Sequence, residues 1–233
     1  LSTGFTTAER ALVSKAVLAK CDALDGSTDG LVQDTGACQA AFSLDRDVPT
    51  CSGGRDGTCL SADQKAGIAK IFSGPTTSAG NKIYTSFPYD AGLAGAGYGF
   101  WEFTAPLVLD SGGVGLIWSV PPEDPATFNG PVFALTGNVD TMLARVNATS
   151  AVYTESAMSF MTPPNPSNLS AMKNRGAKMM VYHGTSDPIF SSDDTTAWYD
   201  SVRAANNGDA SNFARFYRVP GMNHCSGGPA TDQ

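Results

Sequence analysis

The sequence is short of charge, of histidine and of long apolar runs, and each shortage excludes something. Charged residues make up 16% of the 233 residues, below the roughly 25% of an ordinary soluble domain. Net charge is −7, so the chain has no electrostatic means of holding a phosphate backbone. Nucleic acid is excluded as a partner, and so is a polybasic membrane anchor. No stretch approaches the ~20 apolar residues that cross a bilayer, so no membrane span is expected. Leu1-Ser2-Thr3-Gly4 has no charged n-region, no apolar h-region and no initiator Met. A chain that starts this way is expected to be processed or cut from something longer. Gly and Pro, 25 and 14 residues, fall short of the ~25–30% found in disordered chains. With 42% hydrophobic residues, what remains is a folded, loop-rich protein with a real core.

There are five cysteines, and none of them makes the C-x₂₋₄-C pair that zinc sites favour. Cys21, Cys38, Cys51 and Cys59 crowd into the first quarter, among Gly, Asp and Ser. Disulfides suit that setting better, and of the three pairings open to four Cys the sequential one is simplest. Cys21–Cys38 and Cys51–Cys59 would close two local loops, implying an oxidising compartment, secreted or periplasmic. Cys225 is then the odd one out and needs a partner elsewhere.

Two capping boxes mark helix starts: Thr6-Thr7-Ala8-Glu9 opens a helix over 6–20, and Ser61-Ala62-Asp63-Gln64 opens one through about Phe72. The Asp/Gly-rich stretch between them reads as loop. Residues 74 to about 130, rich in Gly, Pro and aromatics, hold neither a period of two nor one of 3.6, and predict irregular structure or short helices. Helix is expected again around Val139–Val146. Thr162-Pro163-Pro164-Asn165-Pro166 breaks any helix and marks a boundary. Beyond it come a short helix at Leu169–Arg175, a strand at Lys178–Tyr182, a helix at Ser191–Ala205 and a strand at Phe213–Val219. That order is a βαβ unit, whose functional groups belong at the C-terminal ends of the strands.

Both histidines of the chain lie there, His183 and His224. An acid and then a His, each after successive strands, is the second half of a Ser…Asp…His order. In that arrangement the carboxylate fixes the imidazole tautomer and the imidazole takes the serine proton. The sequence offers Asp187 as acid and His224 as base, with His183 as a competitor for the base. The same two residues also read as a turn-starting Asp before Pro188 and a loop His. No serine sits on a G-x-S-x-G elbow between strand and helix. Ser52 and Ser226 follow cysteines in Cys-Ser-Gly-Gly segments that neither end a strand nor open a helix. If the chain serves a serine hydrolase, the serine is expected upstream of Leu1.

Cys21-Asp22-Ala23-Leu24-Asp25-Gly26-Ser27-Thr28-Asp29-Gly30-Leu31 is a second constellation. Ca²⁺ wants six to eight oxygens. Asp22, Asp25 and Asp29 offer carboxylates, and Ser27 and Leu31 offer carbonyls at alternating positions, with Gly26 and Gly30 allowing the turns. No Glu closes an EF-hand loop, and two Asp-Gly pairs also read as plain turns. Three unpaired carboxylates in eight residues repel one another, which favours a cation. The aromatics Tyr84, Phe87, Tyr89, Tyr98, Phe100, Trp101, Phe103 and Trp118 are expected mostly in the core, and substrate-binding residues stay unassigned.

Three motifs together resemble the tannase/feruloyl esterase family. They are Cys-Asp-Ala-Leu-Asp-Gly-Ser-Thr-Asp-Gly (21–30), His-Gly-Thr-Ser-Asp-Pro (183–188) and Val-Pro-Gly-Met-Asn-His-Cys-Ser-Gly-Gly (219–228). The resemblance covers nearly the whole chain. It implies an α/β fold, an α/β-hydrolase core with a large inserted lid. The implied activity is serine-dependent hydrolysis of small aromatic esters of hydroxycinnamoyl, galloyl or terephthaloyl type. It implies Asp187 as triad acid and His224 as triad base. It also implies a structural Ca²⁺ on Asp22, Asp25, Ser27, Asp29 and Leu31, and a disulfide from Cys225 to a Cys beside the nucleophilic serine. The family's Gly-Cys-Ser-x-Gly-Gly segment, its oxyanion loop and its last helix are not in this sequence. The chain is therefore expected to hold most of a lid (1–168) and the C-terminal part of the catalytic core (169–233), the partner being a missing N-terminal half. The competing reading is a non-catalytic, extracellular, calcium-binding module stapled by disulfides. An upstream Gly-Cys-Ser-x-Gly in the same frame separates the two.

Overall fold

Both capping boxes form. In the computed structural model, which describes residues 4–229, Thr6 Oγ1 accepts from Glu9 N (3.2 Å) while Glu9 Oε2 accepts from Thr6 N (2.8 Å). They open α1, Thr7–Cys21, which buries Val13, Val17 and Cys21 at four-residue spacing. Burying each such aliphatic side chain is worth roughly 1.5–3 kcal/mol. Ser61 and Gln64 make the same exchange at the start of α4, Ala62–Ser73.

The stretch between α1 and α4 is more ordered than its composition suggests. A 3₁₀ turn, Asp22–Asp25, leads to α2, Thr35–Ala41, capped by Asp34, whose Oδ1 accepts from Ala37 N. A single-turn helix α3, Leu44–Asp47, follows. Helices of one or two turns contain too few residues to display a period, which is why this stretch reads as loop in the sequence. Cys21–Cys38 ties the end of α1 to α2, and Cys51–Cys59 closes the loop before α4, the two bonds expected.

The chain packs as two compact units. One comprises Leu1–Pro75, Ile83–Trp101 and Ser167–Gln233; the other comprises Thr76–Lys82 and Glu102–Pro166. The proline-rich boundary expected near 168 lies beside one junction. Residues 4–75, however, share a unit with 167–229.

The second unit holds π-type turns at Pro106–Asp110 and Gly113–Trp118. With α5, Ala96–Phe103, spanning the junction, its helices are α6, Gly130–Thr136, α7, Val139–Val146, and α8, Ala157–Met161. Asn129 and Asn138 cap α6 and α7, and Arg145 of α7 pairs with Glu123.

In the first unit, α9, Ser170–Asn174, precedes the βαβ element. Its strands, β1 (Met179–Gly184) and β2 (Ala214–Val219), pair in parallel with Met179 opposite Ala214 and Gly184 opposite Val219. The helix α10, Ser192–Ala204, connects them. Val202, Ala210, Phe213 and Ala214 form a buried cluster, packed by Leu169, Met172, Met179, Trp198 and Tyr199. Alternation puts Met180, Tyr182 and Tyr217 on the opposite face, where they are exposed. Among the described residues no helix is long and apolar enough to cross a membrane.

Candidate active site

Parallel pairing brings the loops after β1 and β2 side by side, and tight backbone contacts join them. Thr185 N donates to Val219 O (3.1 Å) and Ser186 N to Met222 O (3.1 Å). Gly184 is needed at this crossing, because a Cβ there would lie 2.2 Å from Met222 O. These loops carry Asp187 and His224.

Asp187 is buried, and each of its oxygens has a separate task. Oδ1 accepts from Ile189 N (2.9 Å) and Phe190 N (3.0 Å), which fixes the carboxylate plane. Oδ2 receives His224 Nδ1 at 2.9 Å. The second histidine reaches the same oxygen, with His183 Nε2 at 3.4 Å and its Nδ1 2.8 Å from Thr195 Oγ1. Burial opposes ionisation of Asp187, but hydrogen bonds from His183, His224 and the two backbone N–H groups outweigh it, holding the carboxyl below its ordinary value. Both histidines therefore meet one carboxylate, His224 closer and His183 anchored sideways to α10.

Aromatic rings flank His224. The Trp101 ring lies edge-to-face on the imidazole at 4.4 Å between centroids, and Phe190 lies at 5.5 Å. Composition alone places Trp101 with the core aromatics and gives Phe190 no signal, yet both rings lie against the imidazole. Tyr89 does pack in the interior, against Phe42 and Phe72.

Behind the two loops stands the segment of residues 90–98. Asp90 Oδ2 accepts from Thr185 Oγ1 and from Gly221 N (2.7 Å). Asn223, the neighbour of His224, is also buried. Its Oδ1 accepts from Tyr98 N (3.0 Å), and its Nδ2 donates to Gly92 O and Ser186 O (3.3 Å each). Gly92 N donates to Ser186 Oγ. A Cβ on Gly92 would collide with that hydroxyl at 2.2 Å, so the approach demands glycine. On its other side the segment is held by α1, where Arg10 Nε donates to Leu93 O and Ser14 Oγ accepts from Ala94 N. Asp90 also caps the 3₁₀ turn Ala91–Ala94 through Ala91 N, but the partners of its Oδ2 lie 95 and 131 residues further on, beyond any local pattern.

The acidic loop 22–33 is wound by its own carboxylates. Asp22 Oδ1 accepts from Asp29 N and Gly30 N, Asp25 from Ser27 N and Gln33 N, and Asp29 Oδ1 from Leu31 N. Gly26 and Gly30 take left-handed φ of +94° and +81°, which non-glycine residues adopt only at a cost. Among the described residues no three His, Cys, Asp or Glu side chains converge as metal ligands. The loop's donor set, oxygens alone with three carboxylates, is of the type a hard cation takes. Cys225 is exposed with a free thiol, and Ser52 and Ser226 are exposed on loops.

The chain resembles known proteins throughout its length. The family described as tannase and feruloyl esterase matches residues 3–233. Mono(2-hydroxyethyl) terephthalate hydrolase of Piscinibacter sakaiensis is 36% identical over 257 residues, covering 100% of this chain and 42% of that protein. Feruloyl esterase C of Talaromyces stipitatus is 27% identical, over 97% of this chain and 39% of its own length. Feruloyl esterase B from Aspergillus oryzae shares the fold, with a TM-score of 0.64 at 22% identity over 97% of this chain and 41% of that one. So does tannin acyl hydrolase from Aspergillus niger, with a TM-score of 0.62 at 21% identity over 97% and 43%. The chain spans about two fifths of the length of these curated relatives. With its match running from residue 3 to residue 233, the chain belongs to the tannase and feruloyl esterase family.

Proposed function

We propose that this chain supplies the acid and the base of a serine-dependent carboxylic ester hydrolase acting on small aromatic esters. The observation that carries this reading is the 2.9 Å contact between Asp187 and His224 at the ends of parallel strands. In a neutral imidazole that donates Nδ1–H to Asp187, Nε2 is the basic nitrogen. The serine comes from a segment upstream, in a Gly-Cys-Ser-x-Gly-Gly setting, and Cys225 bonds to the Cys beside it.

In the proposed reaction the serine Oγ attacks the ester carbonyl carbon while His224 Nε2 takes its proton. The bond from that carbon to the alcohol oxygen then breaks, and Nε2 returns the proton to the departing alcohol. Water attacks the acyl-enzyme, its proton passes through Nε2 to the serine, and the aromatic acid leaves. Asp187 holds the tautomer and stabilises the imidazolium. Trp101 and Phe190 wall the imidazole with apolar surface, in keeping with an aromatic substrate.

In this reading residues 169–233 complete an α/β-hydrolase core and 1–168 form a lid inserted into its chain order. Asp22, Asp25 and Asp29, with the carbonyls of Ser27 and Leu31, would hold Ca²⁺, which supplies cross-linking of the loop and no chemistry at the ester. Two disulfides support a secreted or periplasmic location.

The test is to join the upstream segment to this chain and assay a chromogenic aromatic ester. Turnover that disappears on replacing the upstream serine supports the reading. Robust turnover by residues 1–233 alone, lost in Ser52→Ala or Ser226→Ala, overturns it.

A further inference from the structure

Asp90 is 1% exposed, and no cation pairs with it among the described residues. Burial pushes its carboxyl above the ordinary value against the pull of the donors that reach it: Ala91 N to Oδ1 at 2.6 Å, Gly221 N to Oδ2 at 2.7 Å, and Thr185 Oγ1 to Oδ2. Gly221 N also lies 3.1 Å from Thr185 Oγ1, so the three groups close a triangle. Thr185 stands two residues before Asp187, and Gly221 stands three before His224. The sheet itself registers the chain only as far as Gly184 opposite Val219. Beyond that point the loops that carry Asp187 and His224 are joined directly by Ser186 N to Met222 O and Asn223 Nδ2 to Ser186 O, and Asp90 adds a brace from outside both loops, at Thr185 and Gly221.

We propose that Asp90 is a positioning residue that sets the spacing of Asp187 and His224, by receiving the Thr185 hydroxyl and the Gly221 N–H on one buried oxygen. The consequence for rate rests on the esterase reading; the consequence for geometry does not. An amide does not substitute for the carboxylate. Turned one way, its NH₂ faces the Gly221 N–H; turned the other way, it faces the Ala91 N–H. In either case a buried donor meets a donor, where no water can replace the lost bond. A small displacement of a base from its acid is costly in rate, a 1 Å misplacement costing about 100-fold.

The test compares Asp90→Asn and Thr185→Val with the wild type, each in the chain joined to the proposed upstream segment. The readouts are kcat and KM on a chromogenic aromatic ester, the fraction folded, and the downfield proton resonance of His224 Nδ1–H. The proposal expects kcat to fall roughly 10- to 100-fold with KM little changed, and the downfield resonance to shift or vanish in folded protein. Thr185→Val removes the bridging hydroxyl while keeping the side-chain shape, so it carries the test if Asp90→Asn does not fold. An unmoved resonance, with activity falling only in step with the folded fraction, overturns the proposal. A wild-type protein inert towards esters overturns the esterase reading instead, and the resonance still decides the role of Asp90.

Discussion

His224 Nδ1 lies 2.9 Å from Asp187 Oδ2, although the two residues stand 37 positions apart in the chain. The closeness follows from parallel pairing: β1 and β2 end at the same level, and each releases its loop on the same side. His183, only four residues from Asp187, comes no closer than 3.4 Å and is tied to Thr195. Proximity in sequence is the poorer guide to which histidine meets the carboxylate more closely.

In the protein carrying the proposed nucleophile, Asp187→Asn should lower turnover by roughly 10⁴-fold and His224→Ala by roughly 10⁶-fold, as for members of serine triads. His183→Gln should lower it far less. Steady-state kinetics on an aromatic ester checks both, and circular dichroism checks that the variants fold. Near-normal turnover of His224→Ala would transfer the role of base to His183.

Calcium should raise the melting temperature, and a chelator should lower it, with a smaller effect on kcat. Asp22→Asn and Asp29→Asn should each weaken the response, since each removes one of three carboxylates available to a hard cation. Metal analysis of a dialysed sample that finds no calcium, together with no thermal response to chelator, removes the ion from the account.

Reduction should destabilise the N-terminal region. In the chain-entropy account, closing the loop between Cys21 and Cys38, 17 positions apart, is worth roughly 3 kcal/mol, and the shorter Cys51–Cys59 loop roughly 2.5 kcal/mol. Cys21→Ala with Cys38→Ala should therefore shift the urea midpoint more than Cys51→Ala with Cys59→Ala. Non-reducing peptide mapping should recover the two sequential pairs.

Acid should loosen the fold through Glu9. The Arg55 guanidinium, bonded to both Glu9 oxygens at 2.7 and 2.6 Å, holds the carboxyl down at about 2 against the opposing effect of burial. The folded value lies below the ~4.3 of an unfolded Glu. The stabilisation is therefore complete above that value and is lost as pH falls through the folded one. Urea midpoints should drop between about pH 4.3 and 2, and Arg55→Gln should flatten this limb of the profile. Identical slopes for the two proteins would exclude the pair as its source.

Local chemistry made much of this chain legible from its residues. The two capping boxes, the βαβ order and the sequential disulfides all depend on residues within one loop, one helix turn or one strand of each other. Steric and hydrogen-bonding preferences act directly at that range. The meeting of Asp187 and His224 was legible for a related reason, since the ends of paired parallel strands lie together once the strands are found. Helices α2 and α3 were not legible, because one or two turns leave no period to read. Asp90, Asn223, Trp101 and Phe190 were not legible either. Asp90 and Asn223 draw their significance from partners about a hundred residues away, and a buried polar group is told from a surface one only by what surrounds it. Propensity acts between neighbours in the chain, whereas burial and the donors that compensate it are set by neighbours in space, and those exist only after folding.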